Sequence, residues 1–463
     1  MRIILIDLDT VRPDRMSCYG HAAPTTPNID RLCKRGVRFD RAYAADSPCV
    51  PSRASLLSGR FGVCQGCVDF SYDSQFFRHT PSEGRGFGER IMAELPLPEA
   101  LFKQHVKCAT ISTFGRHPAA FYFRGWDEII QPHEPDGPEY MDLFSEEQKR
   151  NHDPMYNPQY EGMQTVKGEE VVRLASEWLG RNASQEFFLH VQLWDPHAPY
   201  APPAEDLALF ENTPRNPHPT DENLPNVSWK GARTPEGMQK LMQHYDAGIH
   251  YADRQIGTLF NRCEELGLME DTIFVVTSDH GEEFGERKMC CEHGSVREGT
   301  ARIPLIIAGP NISPAVSRAL VTNVDIAPTV LSLFDLPSPR EWQGSSLAPL
   351  LENPEAKVRD ELVVSHAVYC AQRALIRDRY KLIKTYKGAA PPVELFDLHE
   401  DPYEQCNLAE SEPTLTGEMT KALEHWVKTM LRGRPDPVLQ RLEQPSWFEP
   451  SLEKRTGTGL LDT

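Results

Sequence analysis

The 463-residue sequence predicts an α/β protein with a large, mostly parallel sheet flanked by helices, and a small α+β C-terminal subdomain that carries an antiparallel sheet. Short apolar runs alternate with amphipathic helical patterns through most of the chain, which is typical of a parallel sheet. From about residue 345, short strand patterns follow one another directly, as in an antiparallel sheet. We therefore expect an α/β domain at residues 1–345, and the α+β subdomain with a tail at residues 346–463.

The predicted elements follow in order along the chain. Strands of the large sheet are predicted at residues 3–8, 37–43, 106–112, 187–194, 272–277 and 303–308. Helices are predicted at residues 28–35, 98–104, 168–179, 238–266 and 326–334. In the C-terminal part we expect strands at residues 361–365, 373–376, 380–385 and 394–396, and then a helix at residues 415–431. The strand runs are short and the helical patterns repeat with the 3.6-residue period, which separates the two types.

The composition argues against several classes of partner and location. The net charge is −18, and nucleic acid is therefore not expected as a partner, because binding it needs a basic surface. No apolar run of about twenty residues occurs, so we expect no membrane span. Met1 and Arg2 lead directly into the first predicted strand without a signal-peptide pattern, and the 11 cysteines are scattered. These observations predict a cytoplasmic protein.

The most specific string in the chain is Cys49-Val-Pro51-Ser-Arg53, which runs into a short apolar segment that stops at Gly59. Pro51 suits the first turn of a helix, where its missing N–H costs nothing. Cys49 would then lie at the helix N-terminus, where free N–H groups favour an anion. Arg53 follows one turn later on the same face, so its guanidinium can reach the same anion. The pattern predicts a chemically active cysteine.

Polar residues also follow several predicted strands. Asp9 ends the first strand, Asp279 and His280 end a later one, and Asp195-Pro-His197 follows a third. Parallel sheets bind ligands beyond the carboxyl ends of their strands. Carboxylates that converge from separate strands suit a hard cation. We therefore predict a metal site that includes Asp9, Asp279 and His280.

Together these motifs resemble the type I, formylglycine-dependent sulfatases of the alkaline-phosphatase superfamily. The string at Cys49 is similar to the family's maturation signature. Further similar segments occur in the family's order, at residues 5–20, 25–30, 195–200, 277–282, 293–305 and 379–408. The resemblance implies an alkaline-phosphatase-like fold and hydrolysis of a sulfate ester, with an aryl sulfate or a sulfated carbohydrate as the expected substrate.

The resemblance also implies a cofactor set. Cys49 would be oxidised to formylglycine by a maturation enzyme, and the hydrate of that aldehyde would be the nucleophile. Asp9, Asp279, His280 and the modified Cys49 would hold a divalent metal. Calcium is the family's usual ion, and manganese remains open because an imidazole is a softer ligand than the amide found in some members.

The remaining roles follow from the same resemblance. Arg53 and His293 would hold the sulfate oxygens, and His197 would protonate the leaving alcohol. His117 would accept a proton when sulfate is released. His293 stands where the family often has a lysine, and it can donate to an oxygen only when it carries a proton at the right nitrogen.

The chain departs from the family pattern at several positions. Thr10 follows Asp9 where many members have a second aspartate, and Asp7 stands where they have an apolar residue. Asp7 lies two residues before Asp9 and so faces the same side of the strand. The family's Gly-Lys-x-His motif is replaced by Gly-Arg116-His117-Pro. Participation of Asp7, Thr10 and Arg116 in the site stays open at this stage.

Two other functions remain open from the sequence. A phosphonate monoester or phosphodiester hydrolase of the same superfamily would use the same nucleophile and a similar Asp-His metal pair. A catalytically silent relative would keep Cys49 as a thiol and act as a ligand-binding module.

Overall fold

The computed structural model describes residues 1–69, 95–112, 124–132, 167–198, 200–211, 213, 234–286, 290–368, 370–387 and 390–443, with backbone only at 290–292 and 441–443. The strands are β1 Arg2–Leu8, β2 Gly36–Tyr43, β3 Asp46–Ser47, β4 Lys107–Ser112, β5 Glu128–Ile130, β6 Phe187–Leu193, β7 Thr272–Ser278, β8 Glu283–Phe284, β9 Cys290–Glu292, β10 Arg302–Ile303, β11 Leu305–Ala308, β12 Ala315–Thr322, β13 Glu361–His366, β14 Ala371–Arg377, β15 Tyr380–Lys387 and β16 Val393–Asp397. The helices are α1 Pro27–Cys33, α2 Cys49–Ser58, α3 Gly62–Gln65, α4 Leu97–Phe102, α5 Gly168–Asn182, α6 Ala204–Leu207, α7 Pro235–Glu265, α8 Glu298–Ala301, α9 Ile326–Leu333, α10 Ala348–Glu352, α11 Pro413–Leu431 and α12 Pro437–Glu443.

The large sheet is mainly parallel, as predicted. Its order is β10-β2-β11-β7-β1-β6-β4-β5, with β12 beside β2. The central strand β1 pairs in parallel with both β6 and β7. The run predicted as one strand at residues 303–308 forms two strands separated by Pro304, which has no N–H to donate to a ladder. Both of these strands run antiparallel to β2.

The two faces of β1 show why the sheet is covered on both sides. Its residues Ile4, Ile6 and Leu8 belong to a buried cluster with apolar residues of α5 and α7. Its odd-numbered residues Ile3 and Leu5 belong to another cluster with residues of α2, α4 and α9. Since side chains alternate along a strand, Asp7 shares the face of Ile3 and Leu5, which is the face covered by α2.

The second sheet joins the beginning and the end of the chain. Its order is β16-β15-β14-β13-β3, so the short strand β3 pairs in parallel with β13 of the C-terminal part. The other pairs are antiparallel, as predicted. Apolar residues of α11 pack against this sheet. The division at residue 345 remains our proposal for the domain boundary. The strand β3 comes before this boundary but pairs with a strand that comes after it.

Among the described residues, we find no helix that is both long and apolar enough to pass through a membrane.

Candidate active site

The helix α2 begins at Cys49, and Pro48 alone separates it from β3. Pro51 lies in its first turn, and Gly59 ends the helix with a φ of 63°, a left-handed conformation that glycine adopts readily. Cys49 and Arg53 are both buried. The hydroxyl of Ser52 donates to the carbonyl of Asp279 at 2.5 Å, which ties the first turn of α2 to the end of β7.

Asp9 and Asp279 meet because their strands are neighbours in register. Leu8 of β1 pairs with Ser278 of β7, so the next residue of each strand leaves the sheet at the same edge. The backbone N–H of Asp279 donates to the carbonyl of Leu8 at 3.3 Å. The backbone N–H of Thr10 donates to Oδ1 of Asp279 at 3.1 Å. The structure therefore places the two aspartates side by side beneath the N-terminus of α2.

Arg53 lies between three carboxylates. Its Nε donates a hydrogen bond to Oδ2 of Asp7 at 2.7 Å. Its Nη2 lies 3.1 Å from Oδ2 of Asp9, and its Nη1 lies 2.8 Å from Oδ2 of Asp279. All four side chains are 1% exposed or less. A single guanidinium thus faces three buried acids, and this leaves the cluster short of positive charge.

Three of the predicted ligands gather closely enough to hold a metal ion. Atoms of Cys49, Asp279 and His280 lie within 4.8 Å of one another. Nδ1 of His280 lies 2.8 Å from the carbonyl of Gly281, which can only accept, so Nδ1 carries the proton and Nε2 offers its lone pair. That Nε2, Oδ2 of Asp279 and both carboxylate oxygens of Asp9 are buried and make no hydrogen bond. Such a donor set fits a divalent cation.

The ionisation of the cluster also fits a cation. Burial raises the pKa of Asp279 well above its usual value and Asp9 adds to the rise, although Arg53 acts in the opposite direction. Burial, together with Asp9 and Asp279, likewise raises the pKa of the Cys49 thiol. Burial lowers the pKa of His280 well below its usual value. A bound cation would oppose the first two shifts, because it stabilises an ionised carboxylate and a thiolate, and it would reinforce the third, because it binds a neutral imidazole.

Thr10 occupies an unusual position beside these ligands. Its φ is 59°, in the left-handed region that β-branched residues avoid. Its carbonyl accepts a hydrogen bond from the hydroxyl of Tyr245 at 2.5 Å, and its N–H is held by Asp279. Its own Oγ1 is buried and makes no hydrogen bond. The surrounding contacts therefore maintain a strained backbone that leaves a hydroxyl at the edge of the cluster.

His197 follows β6, on the loop predicted from the sequence. Its Nδ1 lies 2.8 Å from the carbonyl of Ala198, which accepts the Nδ1 proton. Its ring lies 4.3 Å from that of Trp194 and 5.6 Å from that of His293, centroid to centroid. Burial lowers the pKa of His197, against the opposing effect of Asp9.

His293 connects the histidines to the ligand cluster. Its ring stacks on that of His280 at 4.3 Å, and its Nδ1 lies 3.3 Å from Oε1 of Glu282. Oε2 of Glu282 accepts a hydrogen bond from the hydroxyl of Tyr200 at 2.7 Å. The structure therefore brings His197 and His293 together with the ligand cluster, whereas the predicted His117 and Arg116 lie outside the described residues.

Some residues of the site were not identified from the sequence. Glu282 contacts His293 and lies three positions after Asp279, inside the segment that resembles the family. The sequence therefore indicated that Glu282 lies near the site, but not that it contacts His293. His366 of β13 lies 3.0 Å from the hydroxyl of Ser47, two residues before Cys49. Nothing in the sequence signals that contact, because it depends on the pairing of β3 with the C-terminal sheet.

This fold, with its polar residues gathered at the carboxyl ends of β1 and β7, is that of the alkaline-phosphatase superfamily. Residues 2–336 match the sulfatase family, and residues 291–430 match the C-terminal part described for N-sulphoglucosamine sulphohydrolase. The first match spans more than half of the chain. The chain therefore belongs to the sulfatase family and is a sulfate-ester hydrolase.

Individual relatives are distant. The chain is 25% identical to a choline-sulfatase of Rhizobium meliloti, over 92% of this chain and 86% of that protein. It is 27% identical to an N-acetylglucosamine-6-O-sulfatase of Bacteroides thetaiotaomicron, over 88% of this chain and 82% of that protein. Among solved structures, the phosphonate monoester hydrolase of Agrobacterium radiobacter has a TM-score of 0.72 at 20% identity, covering 93% of this chain and 96% of that one. This last likeness concerns the fold alone.

Proposed function

We propose that this protein hydrolyses a sulfate ester of a carbohydrate or an aryl alcohol, with a formylglycine formed from Cys49 and a divalent cation. The observation that carries the proposal is the convergence of Cys49, Asp279 and His280 beside Arg53. They meet at the edge of the sheet where β1 ends and Asp9 follows it. Calcium is the ion we propose first, and manganese is the alternative because one ligand is an imidazole.

The cation and the formylglycine would supply part of the chemistry, and side chains of the protein supply the rest. When present, the cation would stabilise negative charge on oxygen and the hydrated formylglycine would supply the nucleophilic oxygen. Arg53 is fixed by its contact with Asp7 and offers a guanidinium to the sulfate oxygens. His293 lies beside His280 and binds the same anion in our proposal.

Proton transfer falls to two histidines in the proposal. His197 donates its Nδ1 proton to a backbone carbonyl, so a proton for the leaving oxygen must be carried by Nε2. His117 remains our candidate for the base that assists sulfate release, on the sequence resemblance alone.

The substrate class rests on relatives. One matched protein is named for a sulfated amino sugar and another for a choline ester, so the family spans sugars and small alcohols. A sulfated carbohydrate is our first proposal and an aryl sulfate is the second. The maturation enzyme, the cytoplasmic location and the lack of nucleic-acid and membrane partners remain predictions from the sequence.

The proposal is tested with protein produced beside a formylglycine-generating enzyme. Mass spectrometry of the peptide with residue 49 reports the conversion of Cys49. The values of kcat/KM are then compared for 4-nitrophenyl sulfate, a 4-nitrophenyl phosphonate monoester and a 4-nitrophenyl phosphodiester, with Cys49→Ala as the control. We expect the sulfate to be the preferred substrate and Cys49→Ala to be inactive. A preference for a phosphorus ester on these matched leaving groups would favour the superfamily alternative, and an unmodified thiol without turnover would favour the silent relative.

A further inference from the structure

Asp7 is a buried carboxylate within the central strand of the sheet. It lies on the face of β1 that is covered by α2, and its Oδ2 accepts a hydrogen bond from Nε of Arg53 at 2.7 Å. Of the three carboxylate contacts of Arg53, this one has hydrogen-bond alignment, while those to Asp9 and Asp279 are charge contacts at 3.1 and 2.8 Å. Asp7 is therefore the best-aligned carboxylate partner of Arg53.

Asp7 is itself held from the neighbouring strands. Nε2 of His190 on β6 lies 3.5 Å from Oδ2 of Asp7. Nδ1 of His190 lies 2.9 Å from Oγ1 of Thr110 on β4, and the ring of Trp126 stacks on the imidazole at 6.0 Å. Thr110, His190 and Asp7 thus form a row of polar contacts across three strands that ends at Arg53. Two partners therefore hold this buried acid at Oδ2, which restricts the position of its carboxylate.

The charges around Arg53 explain what the contact between Asp7 and Arg53 contributes. Asp9 and Asp279 both contact Arg53 and are also proposed ligands of the cation: Asp279 because it gathers with Cys49 and His280, and Asp9 from the resemblance to the sulfatases. Asp7 is not among the proposed ligands, and its Oδ2 contacts Arg53 and His190. A buried guanidinium without a counter-ion costs several kcal/mol. Without Asp7, Arg53 would compete with the cation for Asp9 and Asp279.

We propose that Asp7 is a positioning residue that acts through Arg53. It supplies the guanidinium with a counter-ion outside the proposed ligand set, which weakens the competition of Arg53 with the cation for Asp9 and Asp279. It also fixes the guanidinium with its two Nη groups facing that cluster. This inference rests on the proposed function for its effect on turnover. Its effect on cation binding is independent of turnover.

The test uses Asp7→Asn, which keeps the size of the side chain and removes its charge. We expect the dissociation constant for Ca²⁺ or Mn²⁺, measured by calorimetry on the full chain, to rise about 10- to 100-fold. The rise in Tm on adding the metal should shrink accordingly. The matched control is Asp253→Asn, another buried carboxylate, which accepts hydrogen bonds from the backbone of Asn28 and Ile29 away from the site. That variant should lose stability without changing the metal affinity.

A double-mutant cycle with Arg53→Lys tests the route through Arg53. Lysine keeps the positive charge but has no Nε–H to donate to Asp7. We expect Asp7→Asn to lower kcat/KM for 4-nitrophenyl sulfate about 10- to 100-fold with Arg53 present. In the Arg53→Lys protein it should lower kcat/KM much less, since interacting residues are not additive.

Equal losses of kcat/KM in both backgrounds, or a metal affinity that is unchanged in Asp7→Asn, would overturn the inference. A wild-type protein that binds metal but cleaves no sulfate ester would contradict the proposed function instead. The metal-affinity comparison between Asp7→Asn and Asp253→Asn would still decide the role of Asp7.

Discussion

Thr10 departs from the family pattern in both chemistry and conformation. A second carboxylate at this position would bring a fourth acid to a cluster that already holds Asp7, Asp9 and Asp279 around one arginine. A neutral hydroxyl avoids that added charge. The left-handed backbone of Thr10 costs on the order of 1–3 kcal/mol and is maintained by the contacts with Tyr245 and Asp279. Strain that the surroundings enforce at a site is a reason to test the side chain for function.

We expect the hydroxyl of Thr10 to contribute to cation binding. Thr10→Val keeps the β-branched shape and removes the hydroxyl, so the metal dissociation constant measured by calorimetry should rise roughly tenfold, as when an oxygen near a metal is lost. Thr10→Ser keeps the hydroxyl and serves as the control. A wild-type affinity in Thr10→Val would show that the hydroxyl makes no contribution.

His197 gives a prediction that depends on the leaving group. If it protonates the leaving oxygen, His197→Ala should reduce kcat for a sugar sulfate about 100-fold or more, because a sugar alkoxide is a poor leaving group. For 4-nitrophenyl sulfate, kcat should fall much less, since nitrophenolate leaves without a proton. Steady-state kinetics on the two substrates provides the measurement. Equal losses would assign His197 to substrate binding.

Several of these residues were predictable and others were not. The relative positions of Cys49, Arg53 and Gly59 could be predicted from local spacing, because proline, glycine and the helical period fix them. Asp9 and Asp279 were predictable because parallel strands end at one edge. The contact of Asp7 with Arg53 was not, because it depends on which face of the sheet α2 covers.

The helix α2 holds two of the proposed functional residues, so its placement matters as much as their identity. It is anchored at its start by β3 and at its end by Gly59, where an added Cβ would lie 2.7 Å from the ring of Trp342. Elements of two residues such as β3 were missed from the sequence, since so short a run has no periodicity to detect. The strand β12 beside β2 was missed as well, and its exposed positions are Val316 and Arg318.

Gly59→Ala tests the anchor at the end of α2. The left-handed φ alone costs about 1–2 kcal/mol for a residue with a Cβ, and the clash with Trp342 adds about 1–3 kcal/mol. Gly267→Ala is the matched control, because Gly267 has a φ of +67° and open space around it. Thermal unfolding should show a clearly larger loss of Tm for Gly59→Ala. Similar losses for the two variants would mean that Trp342 moves aside without cost.

The two sheets are joined by charge as well as by β3. Lys381 of β15 is fully buried and lies 2.8 Å from Glu298 and 3.0 Å from Glu404. Nearby, Arg297 forms a buried pair with Glu394 of β16 at 2.6 Å. Glu298 and Arg297 lie on the segment that follows His293, so these pairs connect the C-terminal sheet to the segment beside the proposed site. The two parts of the chain should therefore lose structure together.

Lys381→Met tests this connection across the whole molecule. The change removes a cation and leaves Glu298 and Glu404 buried without their partner, so we expect the free energy of unfolding to fall by about 3–5 kcal/mol. The control is Lys384→Met on the same strand. Lys384 pairs with Glu424 at 2.6 Å, and the two side chains are 25% and 55% exposed, so this change should cost about 0–1 kcal/mol. Chemical denaturation followed by tryptophan fluorescence and by activity measures both. The coupling would be contradicted if Lys381→Met lost no more free energy of unfolding than Lys384→Met. Activity that persists at denaturant concentrations where the C-terminal sheet has unfolded would contradict it as well.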